Sequence, residues 1–364
     1  MSTTVTLEQR PFSVAKVFAL HLMCFVFPVN ALAFSLTGPH PWKISLLFLI
    51  PVILSVMADR RSPPEGRQPT EDIPTWPFDA LLVVLVFVQF ANVLLLANMY
   101  RHQDFWSIDT LVAYIVVGAN SGYSGIVLAH ELIHRKSRLA QQVGRLVLVT
   151  VMYEHFSTEH IKGHHARVGT REDPATARFG EDFRPFLRRT IPAQFRSAWR
   201  LECKRLGDPA MKLFDLRQLR NRVLHGFVFE WAFAFGIFAV CGAAAFWVFL
   251  LQAWQAIQLL EIVNYFEHWG LVREGPKVRT IDSWDTDSFF TLYSLIGLSR
   301  HADHHAHASR PFQQLRRFEE SPKLPFGYFG TVTMIFFRNT KFKELATEEL
   351  QRRKLGPFAG TVSA

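Results

Sequence analysis

Long apolar runs separated by short polar segments occupy the first 130 residues and recur once more after residue 222. Four of them, 14–34, 42–57, 78–99 and 108–129, come close to the roughly 20 residues an apolar helix needs to cross a bilayer, the second being short. A fifth stretch, 223–265, is about twice a span and has a natural break at Cys241 and Gly242, so it predicts a hairpin of two helices, 223–241 and 243–265. The pattern therefore predicts an all-α, polytopic membrane protein of about six spans, a single domain over 1–364, with polar segments 130–222 and 266–364 outside the bilayer. The proline- and arginine-rich segment 58–77 reads as a connector, and KELATEELQRRKLG near the C-terminus has a helical pattern suited to a cytosolic cap.

Composition agrees with segregated apolar surface. Phe alone contributes 34 residues, and mean hydropathy is +0.11 although a fifth of the chain is charged. The net charge of +9 has two readings, nucleic-acid binding or positively charged cytoplasmic loops, and position separates them. With the N-terminus inside, the expected external segments 35–41, 100–107 and the turn near Cys241 hold one basic residue, Arg101. The expected cytosolic segments 131–222 and 267–364 hold 33 of the 40 Lys and Arg, which accounts for the charge without nucleic acid. No aromatic-interleaved basic module of the nucleic-acid-binding kind appears either. Both termini are thus expected in the cytosol, with the bacterial inner membrane as the setting. The polar start, MSTTVTLEQRPF, lacks a small-residue cleavage site after the following apolar run, so no cleaved signal peptide is expected. The three cysteines, Cys24, Cys203 and Cys241, contain no CxxC pair, which excludes a disulfide framework and a fused four-thiolate iron domain.

Chemistry concentrates in histidine. Of fifteen, nine fall into four groups at the expected cytosolic ends of spans or just beyond. His130 and His134 in AHELIHRK are four apart, a turn of about 400° that puts both imidazoles on one helix face. His160, His164 and His165 in EHIKGHHARV converge if the helix is intact or slightly distorted; His301, His304 and His305 in SRHADHHAH share a face; His268 ends the last span in NYFEHWGL. His155 and His307 lie off these faces and are expected to be non-ligands. Singly, each group has a bland reading as interfacial or solvated histidine; jointly they point to metal. Imidazole alone does not select among Zn, Cu, Fe and Ni, but nine donors exceed one tetrahedral zinc and suit two ions, with iron favoured for redox chemistry. Glu131, Glu159, Glu267 and Asp303 neighbour the ligands in sequence and are candidates to accept the second ring N–H of a ligating histidine.

The ordered set HELIHRKSR, EHIKGHHARVGTREDPATARFGE, FRSAWRLECKRL, NYFEHWGLVR and SRHADHHAHASRPFQ resembles the integral-membrane alkane 1-monooxygenases of the wider fatty-acid desaturase and hydroxylase superfamily. That resemblance implies six membrane helices and a non-haem di-iron centre on His130, His134, His160, His164, His165, His268, His301, His304 and His305. It implies terminal hydroxylation of medium- or long-chain alkanes with O2 and two electrons. The family typically reads LQRHSDHH and EHYGL where this chain has LSRHADHH and EHWGL; the changes keep every ligand and bear on the pocket. A desaturase-like or alkene-forming fatty-acid oxidase is the first alternative. It would need a cation for the carboxylate, with Arg135, Lys136, Arg167, Arg171 and Arg300 available. A non-catalytic zinc-binding or zinc-moving membrane protein is a lesser one, disfavoured because acids within the spans are few, Glu230 and Glu261 being the exceptions. With no flavin, nicotinamide or cysteine-iron motif, electrons are expected from a rubredoxin or ferredoxin and its NAD(P)H-dependent reductase. Such a carrier would dock on a basic surface formed by Arg135, Lys136, Lys162, Arg300, Arg316 and Arg317.

Overall fold

The computed structural model describes residues 11–70 and 73–360; most of the polar N-terminal segment lies outside them. Among the described residues there are helices and no strands, only two isolated bridges. Five helical stretches are long and apolar enough to cross a bilayer: α1 (Val14–Thr37), α2 (Trp42–Arg60), α3 (Trp76–Met99), α4 (Ile108–His134) and, after α5 (Arg138–Val149) and α6 (Phe183–Arg205), α7 (Arg222–His268). Apolar side chains such as Val29, Phe87, Leu111, Phe235 and Val240 stand exposed on these helices, as a lipid-facing surface requires.

Boundaries follow local chemistry. Helix α2, which reads as short, continues through Ala58 to Arg60. Its Asp59 is buried and accepts hydrogen bonds from Ser288 Oγ (2.7 Å), Thr291 Oγ1 (2.6 Å) and the Gly330 amide (2.8 Å), fastening the membrane helix to the polar half of the molecule. Helix α7 starts where the Asn221 side chain accepts from the amides of Val223 and Leu224, satisfying free donors of the first turn. It is broken at Gly242, whose φ of 88° is the left-handed conformation that glycine adopts without a Cβ penalty. The long stretch is thus two helical legs turning at the position the sequence marks.

Helix α4 is the most enclosed of the five. Gly118 and Gly122, four apart, let α7 approach closely; a Cβ at Gly118 would lie 2.6 Å from Gln255 and one at Gly122 2.8 Å from Leu259. Some polar groups buried at this depth bond one another across helices. Gln89 of α3 donates to Ser121 Oγ and Thr150 Oγ1 (3.1 Å each) and accepts from Asn120 (2.9 Å). Two further helices, α8 (His301–Ala306) and α9 (Tyr328–Arg353), lie in the polar C-terminal segment. The C-terminal cap is longer than its sequence pattern suggests: α9 begins at Tyr328, buries Phe329, Val332 and Ile335 in the core, and kinks at Arg338.

A nine-histidine site at the ends of the membrane helices

Four elements converge where α4 and α7 leave the apolar layer. The end of α4 presents His130 and His134. Residues 156–167 present His160, His164 and His165, the end of α7 presents His268, and α8 presents His301, His304 and His305. The nine histidines sort into two groups in which one ligand-capable atom per residue lies within 4.8 Å of all the others: His130, His134, His160, His165 and His304 in one, His164, His268, His301 and His305 in the other. The groups adjoin, with the His165 and His305 rings stacked at 4.4 Å between centroids.

The sorting has a helical cause. Residues 160–164 form a widened π turn, in which the chain bonds five residues on instead of four. His165 is thereby brought under His160, their Nε2 atoms 3.1 Å apart, while His164 turns to the second group. In α8, His301 and His305 are four apart and share the second group, Nε2 to Nε2 at 2.9 Å; His304 faces the first, 3.2 Å from His165 Nε2.

The electrostatics suit a cation at each group. Burial first, and neighbouring imidazoles next, hold His160, His165, His301, His304 and His305 well below the usual histidine pKa, so these rings are neutral at pH 7. A neutral imidazole carries one unprotonated nitrogen. Here His130, His134 and His164 have Nε2 atoms buried without a partner among the described residues, and other rings place a nitrogen against a second imidazole nitrogen. A buried ring nitrogen with no partner is costly unless a positive ion takes that place. The residues therefore fit a two-metal centre. Five donors at one group exceed a closed tetrahedral zinc site and match an ion of higher coordination.

The expected carboxylate partners divide. Glu267 lies against the site: its Oε2 is 3.2 Å from His301 Nε2, and its Oε1 accepts from Tyr328 OH at 2.5 Å. Glu131, Glu159 and Asp303 have no hydrogen bond or ion pair to the nine rings. Glu131 pairs with Arg135 (2.8 Å), Glu159 with Arg167 (2.6 Å), and Asp303 with Arg310, His307 Nδ1 (2.8 Å) and the Arg316 amide (2.7 Å). A residue adjacent to a ligand on a helix is rotated about 100° from it, so these three face away. The carboxylate that does hold a ring is Asp173, which sequence reading missed. His164 Nδ1 donates to its Oδ2 at 2.9 Å, and Thr176 Oγ1 donates to the same oxygen at 2.6 Å. Its signal was an Asp-Pro turn nine residues after the ligand, a fold-back that helical spacing does not reveal. Asp173→Asn keeps the shape and removes the charge; we expect metal affinity or turnover to fall by about 10–100-fold, checked by metal content and product formation.

His155 and His307 lie outside both groups. His155 is buried against Tyr153 and Phe195, and burial brings its pKa down to about 3; His307 is half exposed.

On the membrane side the site opens on an apolar cavity lined by Tyr123, Ile126, Val127, Phe156, Leu259, Val263, Leu295 and Leu298. It reaches His130 and His160 of the first group and His301 of the second. Among the described residues, Asn264 and Glu267 are the polar ones there besides the histidines, and no Lys or Arg lines it. The cations that a fatty-acid substrate would need are elsewhere. Arg135 bonds Asp79 and Glu131, Arg167 bonds Glu159 and Ser197, and buried Arg300 donates to the carbonyls of Leu315 and Arg67. Buried Arg300 also cannot belong to the basic docking surface. The three positions that depart from the family pattern, Trp269, Ser299 and Ala302, are buried outside the cavity lining; the Trp269 indole donates to the Glu181 carbonyl.

Comparison with known proteins matches residues 106–331 to the fatty acid desaturase family model. The chain is 35% identical to alkane 1-monooxygenase 1 of Pseudomonas aeruginosa over 309 residues, 81% of this chain and 80% of the relative. It is 34% identical to alkane 1-monooxygenase 2 of the same organism over 82% of this chain and 81% of that relative. It is 36% identical to alkane 1-monooxygenase of Acinetobacter baylyi over 81% of this chain and 72% of that relative.

Proposed function

Since the chain belongs to the alkane 1-monooxygenase family of fatty acid desaturase-like membrane oxidoreductases, we propose that it hydroxylates the terminal methyl of medium- or long-chain alkanes with O2 and two electrons, at two iron ions held by the nine histidines. The observation that carries this reading is the cavity: apolar walls, no cation, and an end that meets histidines of both groups.

Iron bound there would supply the oxidant that an unactivated C–H bond demands, since no side-chain base removes a methyl proton. The protein's part is positional. Leu259, Val263, Ile126 and Phe156 bind the chain by apolar contact and exclude water; besides the histidines the lining's polar residues are Asn264 and Glu267, and no cation among the described residues holds the chain part-way, so the terminal carbon advances to the histidines. Asp173 holds His164 as the tautomer with its proton on Nδ1, leaving Nε2 free for metal. Tyr328, which donates to Glu267, keeps that carboxylate beside His301.

A substrate panel tests the assignment. Purified enzyme with its electron donors should convert n-alkanes to primary alcohols, while free fatty acids of equal length should react at least about tenfold more slowly, because a carboxylate entering this cavity loses its hydration without gaining a cation. Preferential oxidation of fatty acids, or alkene products, would replace the alkane reading with the oxidase alternative. For orientation, we propose both termini and the histidine site on the cytosolic face of a bacterial inner membrane, in line with the 33 of 40 basic residues in the segments on that side. A reporter fused after residue 104 should then be external, and reporters near 180 or after 364 internal; an external result at 180 would move the site to the other face.

A further inference from the structure

On the opposite side of α7 from the substrate cavity, a second cleft of about 790 Å³ lies between α6, α7 and α9. Its inner wall is apolar: Ile191 of α6, Trp254 of α7 and Phe336 of α9. Trp254 lies fourteen residues before His268, about 21 Å down the helix from the histidine site and well inside the apolar layer. At the rim the chemistry reverses. Arg184 and Arg188, one helical turn apart on α6, line the cleft and are exposed, and among the described residues neither has an ion-pair or hydrogen-bond partner. Their neighbour Arg189, turned away, is engaged by Glu181 and by the carbonyls of Pro174 and Thr176. The rim's one acid among the described residues, Asp182, is matched by Lys343 (2.5 Å) and Asn339 (3.0 Å), so it does not neutralise the pair.

Two uncommitted guanidinium groups above an apolar wall that continues the lipid-facing surface of a membrane helix match one kind of ligand, an amphiphile with an anionic head. We propose that this cleft seats an anionic phospholipid, its phosphate between Arg184 and Arg188 and an acyl chain along Ile191, Trp254 and Phe336. Guanidinium pairs bind phosphate oxygens by charge-assisted hydrogen bonds, and the bilayer delivers such a ligand at the right depth. The seated lipid would bridge α6 and α9 against α7, the helix that carries His268, without entering the substrate cavity.

Native mass spectrometry of the full-length protein, titrated in mild detergent with phosphatidylglycerol, phosphatidylcholine or inorganic phosphate, tests the site. With two arginines beside an anionic head, wild type should bind one phosphatidylglycerol about tenfold or more tightly than phosphatidylcholine. R184Q/R188Q should abolish that preference. R196Q/R200Q, on the same helix but outside the cleft, should retain it. Because Arg184 and Arg188 are exposed and unpartnered, the double variant should fold, which its melting temperature checks. Equal binding of the two lipids by wild type, a preference that survives in R184Q/R188Q, or equal loss in R196Q/R200Q would overturn the proposal. An inorganic-phosphate adduct with the same arginine dependence would overturn the lipid assignment in favour of a soluble anion.

Discussion

Replacing His305 by alanine is expected to remove the metal of the four-histidine group and to spare that of the five, whereas the same change at its neighbour His304 does the reverse. The two residues are adjacent on α8, but their rings diverge: His305 Nε2 lies 2.9 Å from His301 Nε2, and His304 Nε2 lies 3.2 Å from His165 Nε2. Losing one of four or five imidazoles removes a donor and opens a gap in a buried site. Turnover should therefore fall by more than the roughly 10–100-fold typical of outer partners, below detection in either variant. Elemental analysis should give about half the wild-type iron in each, and Mössbauer spectra of the two should keep different halves of the wild-type signal. His155→Ala and His307→Ala should retain iron and at least part of the activity, since both lie outside the groups. Full activity and unchanged iron in His268→Ala would remove that residue from the site. Identical residual spectra for the His304 and His305 variants would mean that the nine rings do not form two separable positions.

The sequence exposes the helices and the histidines for different reasons. A membrane helix needs no periodicity, only length and apolarity, so runs such as 78–99 are legible, and a left-handed residue such as Gly242 marks the break in a run of double length. Ends are harder, because polar residues anchored by distant partners remain helical: Asp59 extends α2 by bonding Ser288, Thr291 and Gly330, more than two hundred residues away. The nine histidines are legible as clusters because like residues at three- and four-residue spacings share a face. Their division into five and four is not. It depends on the π turn at 160–164, which separates His164 from His165, and a local widening of the hydrogen-bond ladder leaves no mark in the spacing. The carboxylates show the opposite failure. Adjacency suggested Glu131, Glu159 and Asp303, but these three are turned to arginines, and the acid that orients His164 comes from a turn that folds back. Only Glu267 among the four meets a ring, and it meets His301 across elements instead of its neighbour His268.

Purified protein supplied with alkane, O2 and NAD(P)H alone is expected to form no product, and adding a rubredoxin or ferredoxin with its reductase is expected to start turnover. Each hydroxylation consumes two electrons, and the chain holds neither a four-cysteine iron site nor a nucleotide-binding glycine motif, its three cysteines being isolated from one another. Where such a carrier docks is narrowed by burial and pairing. Of the six basic residues near the site, Arg300 is buried and donates to two carbonyls, Arg135 is held by Asp79 and Glu131, and Arg317 by Asp287 and Glu319. Lys136 and Arg316 are exposed without an ion-pair partner among the described residues, and Lys162 is exposed with only a long contact to Glu202 (3.5 Å). These three are the cations free to meet an acidic carrier. Exposed charges are screened over about 8 Å at physiological ionic strength, so at limiting carrier the rate should fall as KCl is added. The triple variant K136Q/K162Q/R316Q should start from a lower rate at low salt, by about tenfold, and respond less steeply to salt, while its rate at saturating carrier stays near wild type. Turnover with NAD(P)H alone would end the requirement for a partner. A rate indifferent to salt, or a triple variant with wild-type salt dependence, would keep the partner and move its docking surface away from these residues.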